Sequence, residues 1–292
     1  MSQLHIRHTT TYRYRSPVVL GEHRLMTRPR DSHDLRLIDT ALSITPAASR
    51  VRWIHDVFGN SLAIVSFETS TQTLTFTSDF RAEHYPAAAQ EIAIEPYASS
   101  FPFSYSASDA EDLGRTKERH YPDPEHRLDD WTRELLQQAN HLGTLGTLDA
   151  MARKIKGTFQ YRARGAEGVQ SPLKTLECGS GTCRDFALFM MEAARSLGLA
   201  ARFVSGYLYD EGRIESGEKL LGGGATHAWV QIYLPGAGWV EYDPTNALVG
   251  GCNLIRVAVT RDPSQAVPLA GTFKGAPGAF ESMSVGVEIT AA

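Results

Sequence analysis

The hydrophobic period of this chain changes twice, and that order limits the fold more than any single residue. Residues 3 to about 85 read as strands. Leu4-His5-Ile6-Arg7-His8 alternates apolar and polar, as a half-buried strand does, and Leu35-Arg36-Leu37-Ile38-Asp39 and Leu42-Ser43-Ile44 continue the pattern. Residues 51–57 and 62–67 form a predicted hairpin about Gly59-Asn60, and the Thr-rich stretch 71–80 alternates through Leu74 and Phe76. From about Asp123 the apolar residues recur at helical spacing. After Gly198 the strands return, at 201–207, 227–234, 239–243, 255–259 and 284–289. The class is therefore α+β, with an all-β, sandwich-like N-terminal domain. At roughly 150 residues per domain, 292 residues make about two domains. The predicted boundaries are 1–90 for the β-rich domain, 91–125 for a proline-interrupted connector with little regular structure, and 126–292 for the second domain.

Three helices are predicted. Asp123-Pro124 opens the first, in the order cap then proline, with Leu128, Trp131 and Leu135 on one face. The second runs from about Thr147 through Leu148, Met151, Ala152 and Ile155, and Gly157 ends it. Phe159-Gln160-Tyr161 is a short extended piece. The third follows the tight turn Gly179-Ser180-Gly181-Thr182, whose threonine is an N-cap residue. Its stripe is Phe186, Ala187, Met190, Met191, Ala194 and Leu197, and Gly198 stops it. Between two later strands, residues 210–226 are polar and end in Gly222-Gly223-Gly224, the composition of a mobile segment near a site.

Several functions are excluded on composition. A formal net charge of −4 with no basic stripe gives no field for nucleic acid or an anionic membrane. No apolar run reaches the ~18 residues of a membrane span, and the N-terminus has no apolar signal core. Three cysteines are too few and odd in number for a disulfide framework, which implies a reduced, cytoplasmic setting. Cys178 and Cys183 lack a second ligand pair, no calcium loop of EF-hand spacing occurs, and the glycine run lacks the Lys-Ser/Thr of a phosphate loop. No metal or cofactor is expected.

What remains is a nucleophile at a helix start. Cys183 follows the Gly-Ser-Gly-Thr turn, where the first N–H groups have no intrahelical partner and the helix carries roughly half a positive charge. Both favour a thiolate, and the same N–H groups can receive a developing oxyanion. Alone, Cys183 reads equally well as a small buried hydrophobe. His227 then begins one strand and Asp243 ends the next, joined through Pro235-Gly236-Ala237-Gly238. If Leu234 pairs with Gly238, Trp229 opposes Asp243 and His227 opposes Thr245. His227 and Asp243 then become diagonal neighbours on one face, roughly 7–8 Å apart at the backbone. A carboxylate there fixes the imidazole tautomer and leaves the other nitrogen for the thiol. A register one residue away would put them on opposite faces.

Three blocks, Gly181-Thr182-Cys183-Arg184-Asp185-Phe186-Ala187, Thr226-His227-Ala228-Trp229-Val230 and Tyr242-Asp243-Pro244-Thr245-Asn246, resemble the catalytic blocks of the transglutaminase-like superfamily, which includes microbial cysteine proteases. Residues 3–85, with Tyr12-Arg13-Tyr14 and Pro29-Arg30, resemble the β-rich region attached to its bacterial members. The resemblance implies a papain-like core, a helix bearing Cys183 packed on an antiparallel sheet, with His227 as base and Asp243 as its orienter. The Cys183 backbone N–H is the first oxyanion donor, and Tyr161 and Gln170 are candidates for the second. Trp229 shares a face with His227 and is a candidate for the cleft lining, with packing against the catalytic helix as the alternative. The expected reaction is acyl transfer on an amide through a thioester. Hydrolysis of a peptide or amide is favoured because water is abundant and nothing marks an amine site. Transamidation and a non-enzymatic scaffold are the alternatives.

Overall fold

The computed structural model describes residues 2–85, 92–139, 141–163, 168–209, 221 and 223–291. Five strands come first: β1 (Ser2–Leu25), β2 (Leu35–Thr45), β3 (Arg50–His55), β4 (Ser61–Ser66) and β5 (Ser70–His84). They pair antiparallel in the order β2-β5-β1-β4-β3. The period-two pattern produces this sheet directly, with Leu4, Ile6 and His8 buried and Arg7 exposed between them. The β3–β4 hairpin turns where predicted. The Asp56 carboxylate accepts from the Phe58 and Asn60 N–H groups, and Gly59 supplies a φ of 77°.

The helical stretch contains α1 (Ala107–Leu113), α2 (Arg127–Ala139), α3 (Gly143–Thr158), the short strand β6 (Gln160–Tyr161), α4 (Pro172–Cys178), the short strand β7 (Ser180–Gly181) and α5 (Cys183–Ser196). The expected first helix starts later than Pro124. Asp123 still caps it, its carboxylate accepting from the N–H groups of Arg127, Leu128 and Asp129. The second helix starts at Gly143 and absorbs Gly157, a residue that costs only ~1 kcal/mol in a helix. The connector is less bare than expected, since it carries α1, capped by Ser106.

A second antiparallel sheet follows, built from β8 (Ala201–Leu208), β9 (His227–Leu234), β10 (Gly238–Asp243), β11 (Leu248–Val249) and β12 (Leu254–Thr260) in the order β11-β10-β9-β8-β12. Helix α5 lies against it, packing Phe186, Phe189, Met190 and Ala194 among Phe203, Ala228, Val230 and Ile232. The helix is buried almost all round, including Glu192 and Arg195, which pair at 2.8 Å with fully buried side chains. Glu192 also accepts from the His120 and Tyr121 N–H groups, and Arg195 donates to the carbonyls of Ala201 and Arg261. The connector is thereby tied to the core.

The expected domain limit at 292 needs correction. The last two strands, β13 (Leu269–Lys274) and β14 (Phe280–Ala291), leave the second sheet and pair with β1. Eleven register positions join β1 to β14, from Leu4↔Ala291 to Tyr14↔Phe280. The reason is backbone satisfaction. β5 covers only one edge of the 24-residue β1, and β4 meets just its last residues, so the opposite edge would otherwise carry unpaired N–H and C=O groups. The two sheets pack through Leu4, Ile6 and Phe80 on one side and Tyr207, Ile255 and Val257 on the other. Buried His8 meets the Tyr207 hydroxyl at 2.9 Å there, and burial pulls its imidazole down to about 4.

Candidate active site

Two short elements set the floor of the site. β6 and β7 pair in parallel, Tyr161 opposite Gly181, which brings the residues after α3 beside the turn that precedes α5. Helix α4 ends at Gly179 with φ 60°, a left-handed position suited to glycine, and the chain turns through Ser180-Gly181 into the N-cap Thr182. One buried carboxylate locks that turn. Asp185 accepts from the N–H and hydroxyl of Thr182 at 2.8 and 2.9 Å and from the Gln170 N–H at 2.7 Å. Cys183 therefore enters the first helical position on a fixed backbone, 6% exposed, its own N–H free of any intrahelical acceptor by position.

The hairpin register is the predicted one: Gly238 pairs with Leu234 and Tyr242 with Val230. His227 and Asp243 consequently share a face, and His227 Nε2 lies 2.9 Å from Asp243 Oδ2 with both side chains fully buried. Asp243 is saturated with donors. Oδ1 accepts from the Thr245 N–H at 2.9 Å and Oδ2 from Asn246 Nδ2 at 2.8 Å. Burial alone would raise this carboxyl, but His227, Asn246 and the Thr245 N–H outweigh it and hold it below the ordinary carboxylate range. For the imidazole, burial would lower the value. Asp243 and then Cys183 overcome burial and hold it up to about 10.

With Nε2 committed to Asp243, the opposite edge of the ring carries Nδ1, which is buried and has no partner within ordinary hydrogen-bond geometry. The Cys183 thiol lies near enough to act electrostatically on the imidazole. The Tyr161 hydroxyl lies near Cys183, and burial followed by Cys183 pushes it up to about 12. Sulfur, imidazole and carboxylate thus follow one another, with a phenol beside the sulfur.

Two expected residues sit elsewhere in the arrangement. Gln170 is unavailable as an oxyanion donor, because its side-chain amide donates to the Ser180 carbonyl at 2.9 Å and reaches Thr175 Oγ1 at 3.5 Å. Trp229 shares the His227 face as read but lines no open cleft. It is fully buried, stacked on His227 with ring centroids 6.1 Å apart at 27°, among Val204, Leu208 and Leu254. Gly206 makes room for it, since a Cβ there would come within 2.7 Å of the indole and 2.1 Å of the Ile255 carbonyl. The polar stretch 210–226 lies for the most part outside the described residues. Within it Leu221 is held, its N–H donating to Asn246 Oδ1 at 3.1 Å.

Asn246, which donates to Asp243, is a supporting residue that sequence reasoning missed. Asp243-Pro244-Thr245-Asn246 spells a turn in which a carboxylate collects donors two and three residues on, and that was the legible signal for Asn246. Among the described residues no group of three or more His, Cys, Asp or Glu side chains is placed to hold a metal, and no helix is long and apolar enough to cross a membrane.

Residues 4–83 match the bacterial transglutaminase-like N-terminal region, and residues 129–244, which include Cys183, His227 and Asp243, match the transglutaminase-like superfamily. An uncharacterised protein of Mycobacterium leprae is 28% identical over 293 residues, covering 99% of each chain. A protein-glutamine gamma-glutamyltransferase of Pseudomonas aeruginosa is 35% identical over 88 residues, which are 30% of this chain and 13% of that one. The crystal structure of a candidate cysteine protease from Cytophaga hutchinsonii shares the fold, with a TM-score of 0.68 at 17% identity over all of this chain and 91% of that one.

Proposed function

We propose that this member of the transglutaminase-like superfamily uses Cys183 as a nucleophile on amide carbonyls, with His227 as acid and base and Asp243 as its orienter. The observation that carries the reading is the buried imidazole 2.9 Å from a saturated carboxylate, together with a thiol at the first position of α5. In the first half-reaction the Cys183 sulfur attacks the carbonyl carbon. The oxygen takes up negative charge, facing the Cys183 N–H and the Tyr161 hydroxyl. As the C–N bond breaks, the His227 proton passes to the departing amine, leaving a thioester. In the second half-reaction neutral His227 takes a proton from water, the hydroxide adds to the thioester carbonyl, and the C–S bond breaks. A carboxylic acid leaves, and the thiolate–imidazolium pair is restored.

The substrate class is a peptide or other amide, and hydrolysis is the favoured outcome. Likeness to the Pseudomonas aeruginosa protein-glutamine gamma-glutamyltransferase favours a second reading, in which an amine takes the place of water. The test is mass spectrometry of the intact chain after exposure to a peptide and glutamine-amide library, with and without a primary amine. An acyl adduct on Cys183 that decays to acid supports hydrolysis, and decay to a new amide supports transamidation. No adduct on Cys183 with any member, together with iodoacetamide labelling no faster than a free cysteine, overturns the reading.

A further inference from the structure

Behind the imidazole runs a line of polar contacts that none of the steps above uses. The only polar atom of the buried Trp229 ring, Nε1–H, donates to Glu241 Oε2. Glu241, 4% exposed, also accepts from Gln231 Nε2 at 2.7 Å and from Arg256 Nη1 at 2.8 Å. Gln231 in turn accepts from Arg202 Nε at 2.7 Å. Arg256 then crosses between the sheets, and its Nη2 reaches both oxygens of Asp34 at 2.7 and 2.6 Å. Asp34 stands just before β2, within the region that matches the bacterial N-terminal family.

We propose that the N-terminal sheet supports the catalytic imidazole through the line Asp34–Arg256–Glu241–Trp229, and that Asp34 and Glu241 are positioning residues of the site. The inference rests on the function proposed above for its meaning, but not for its test. Its physical basis is polar satisfaction. Trp229 packs among Val204, Leu208 and Leu254, so an indole N–H that lost Glu241 would be buried without an acceptor, and the ring would have to tilt to find one. The indole covers one face of the His227 ring. Tilting it opens that face to water, which weakens the hold of Asp243 across 2.9 Å.

The charged or ionisable groups that act most on the imidazole are Asp243 on β10 and Cys183 on α5, so the role assigned to Glu241 runs through Trp229. The line is electrically closed. Arg256 is held up by Glu241 and Asp34 against burial, and Asp34 is held down against burial by Arg256, then Ser32, with His33 adding less. His84 also feels Asp34 and Arg256, and Arg202 feels Glu241. Removing one member leaves the next without its counter-charge.

The test uses the full chain with Cys178→Ser and Cys252→Ser to silence the two exposed thiols. The titration of the His227 ring is followed by NMR, and the iodoacetamide rate at Cys183 is measured in parallel. Expected for Asp34→Asn, Glu241→Gln and Trp229→Phe is a His227 midpoint lowered by a unit or more and alkylation at pH 7 slowed several-fold. Asp34→Glu restores both, and Glu241→Gln combined with Trp229→Phe lowers the midpoint no further than either alone. Folded variants whose His227 midpoint stays at the wild-type value overturn the inference, as does additivity of the pair. If Glu241→Gln does not fold, Asp34→Asn at the edge of the line still decides. Wild-type Cys183 reacting like a free cysteine would sink the proposed function, and the His227 titration would still judge this line.

Discussion

Asp243→Asn removes one charge and leaves the shape, so its cost can be worked from the contacts. The asparagine carbonyl oxygen keeps the Thr245 N–H, which puts its NH₂ where Oδ2 now accepts from both His227 Nε2 and Asn246 Nδ2. A donor there meets two donors. Nε2 must become an acceptor, and the ring proton moves to Nδ1, the nitrogen that has to accept the thiol proton. The charge term adds to this. Asp243 is the main group holding His227 up at about 10 against burial. Without it burial dominates and pulls the ring well down. Breaking a buried ion pair from one side costs about 3–5 kcal/mol.

Turnover should therefore fall by on the order of 10³–10⁴, as expected for the wrong tautomer. Stability follows with a definite sign. The folded value of His227 lies above its unfolded one, so its contribution is complete below about pH 6.5 and is lost as pH rises towards about 10. Asp243 is shifted down, so its contribution is present above about pH 4 and lost below. Urea unfolding of wild type and variant should differ most near pH 5–6 and converge near pH 10. A variant that turns over within threefold of wild type, or a stability gap that does not change between pH 6 and pH 10, refutes the pairing.

Other outcomes are expected from the same geometry. Cys183→Ser should abolish turnover and leave the melting temperature within a few degrees, because the side chain is near-isosteric; surviving turnover would remove Cys183 as nucleophile. Tyr161→Phe keeps the ring contact with Phe186, centroids 6.3 Å apart, and loses the hydroxyl beside the sulfur; turnover should drop about 10²-fold, and a change under threefold would show that the phenol does not face the oxyanion. A chain ending at residue 268 loses β13 and β14 and should not unfold cooperatively; a melting temperature within about 3 °C of the full chain would make those strands dispensable.

The Cys183 turn and the His227–Asp243 pair were legible because short-range chemistry wrote them. Gly179 to Thr182 spells the turn and cap before Cys183, and the Pro-Gly-Ala-Gly connection sets the register that puts His227 and Asp243 on one face. What was not legible depends on partners far away in the chain. The 284–289 pattern says strand, but nothing local says that its neighbour is β1. The face that carries Trp229 was read correctly, yet whether that face is open depends on Leu254 of β12 and on the N-terminal sheet. Gln170 is polar and near the turn, but only coordinates show its amide consumed by Ser180 and Thr175. Helix α4 has a clear start in Ser171-Pro172, where the serine side chain caps the Lys174 N–H, but seven residues are too few to display a helical period.

The pairing of β1 with β14 also sets a timetable for synthesis. The first strand leaves the ribosome early, while the partner for its outer edge is made more than 250 residues later, on the order of tens of seconds at ordinary translation speeds. Throughout that interval Leu4 to Tyr14 carry an open row of backbone donors and acceptors, the template on which strands of other nascent chains can add. Helix α5 and its sheet can be complete before this edge is closed. Production should therefore be limited by protection of β1 until β14 arrives.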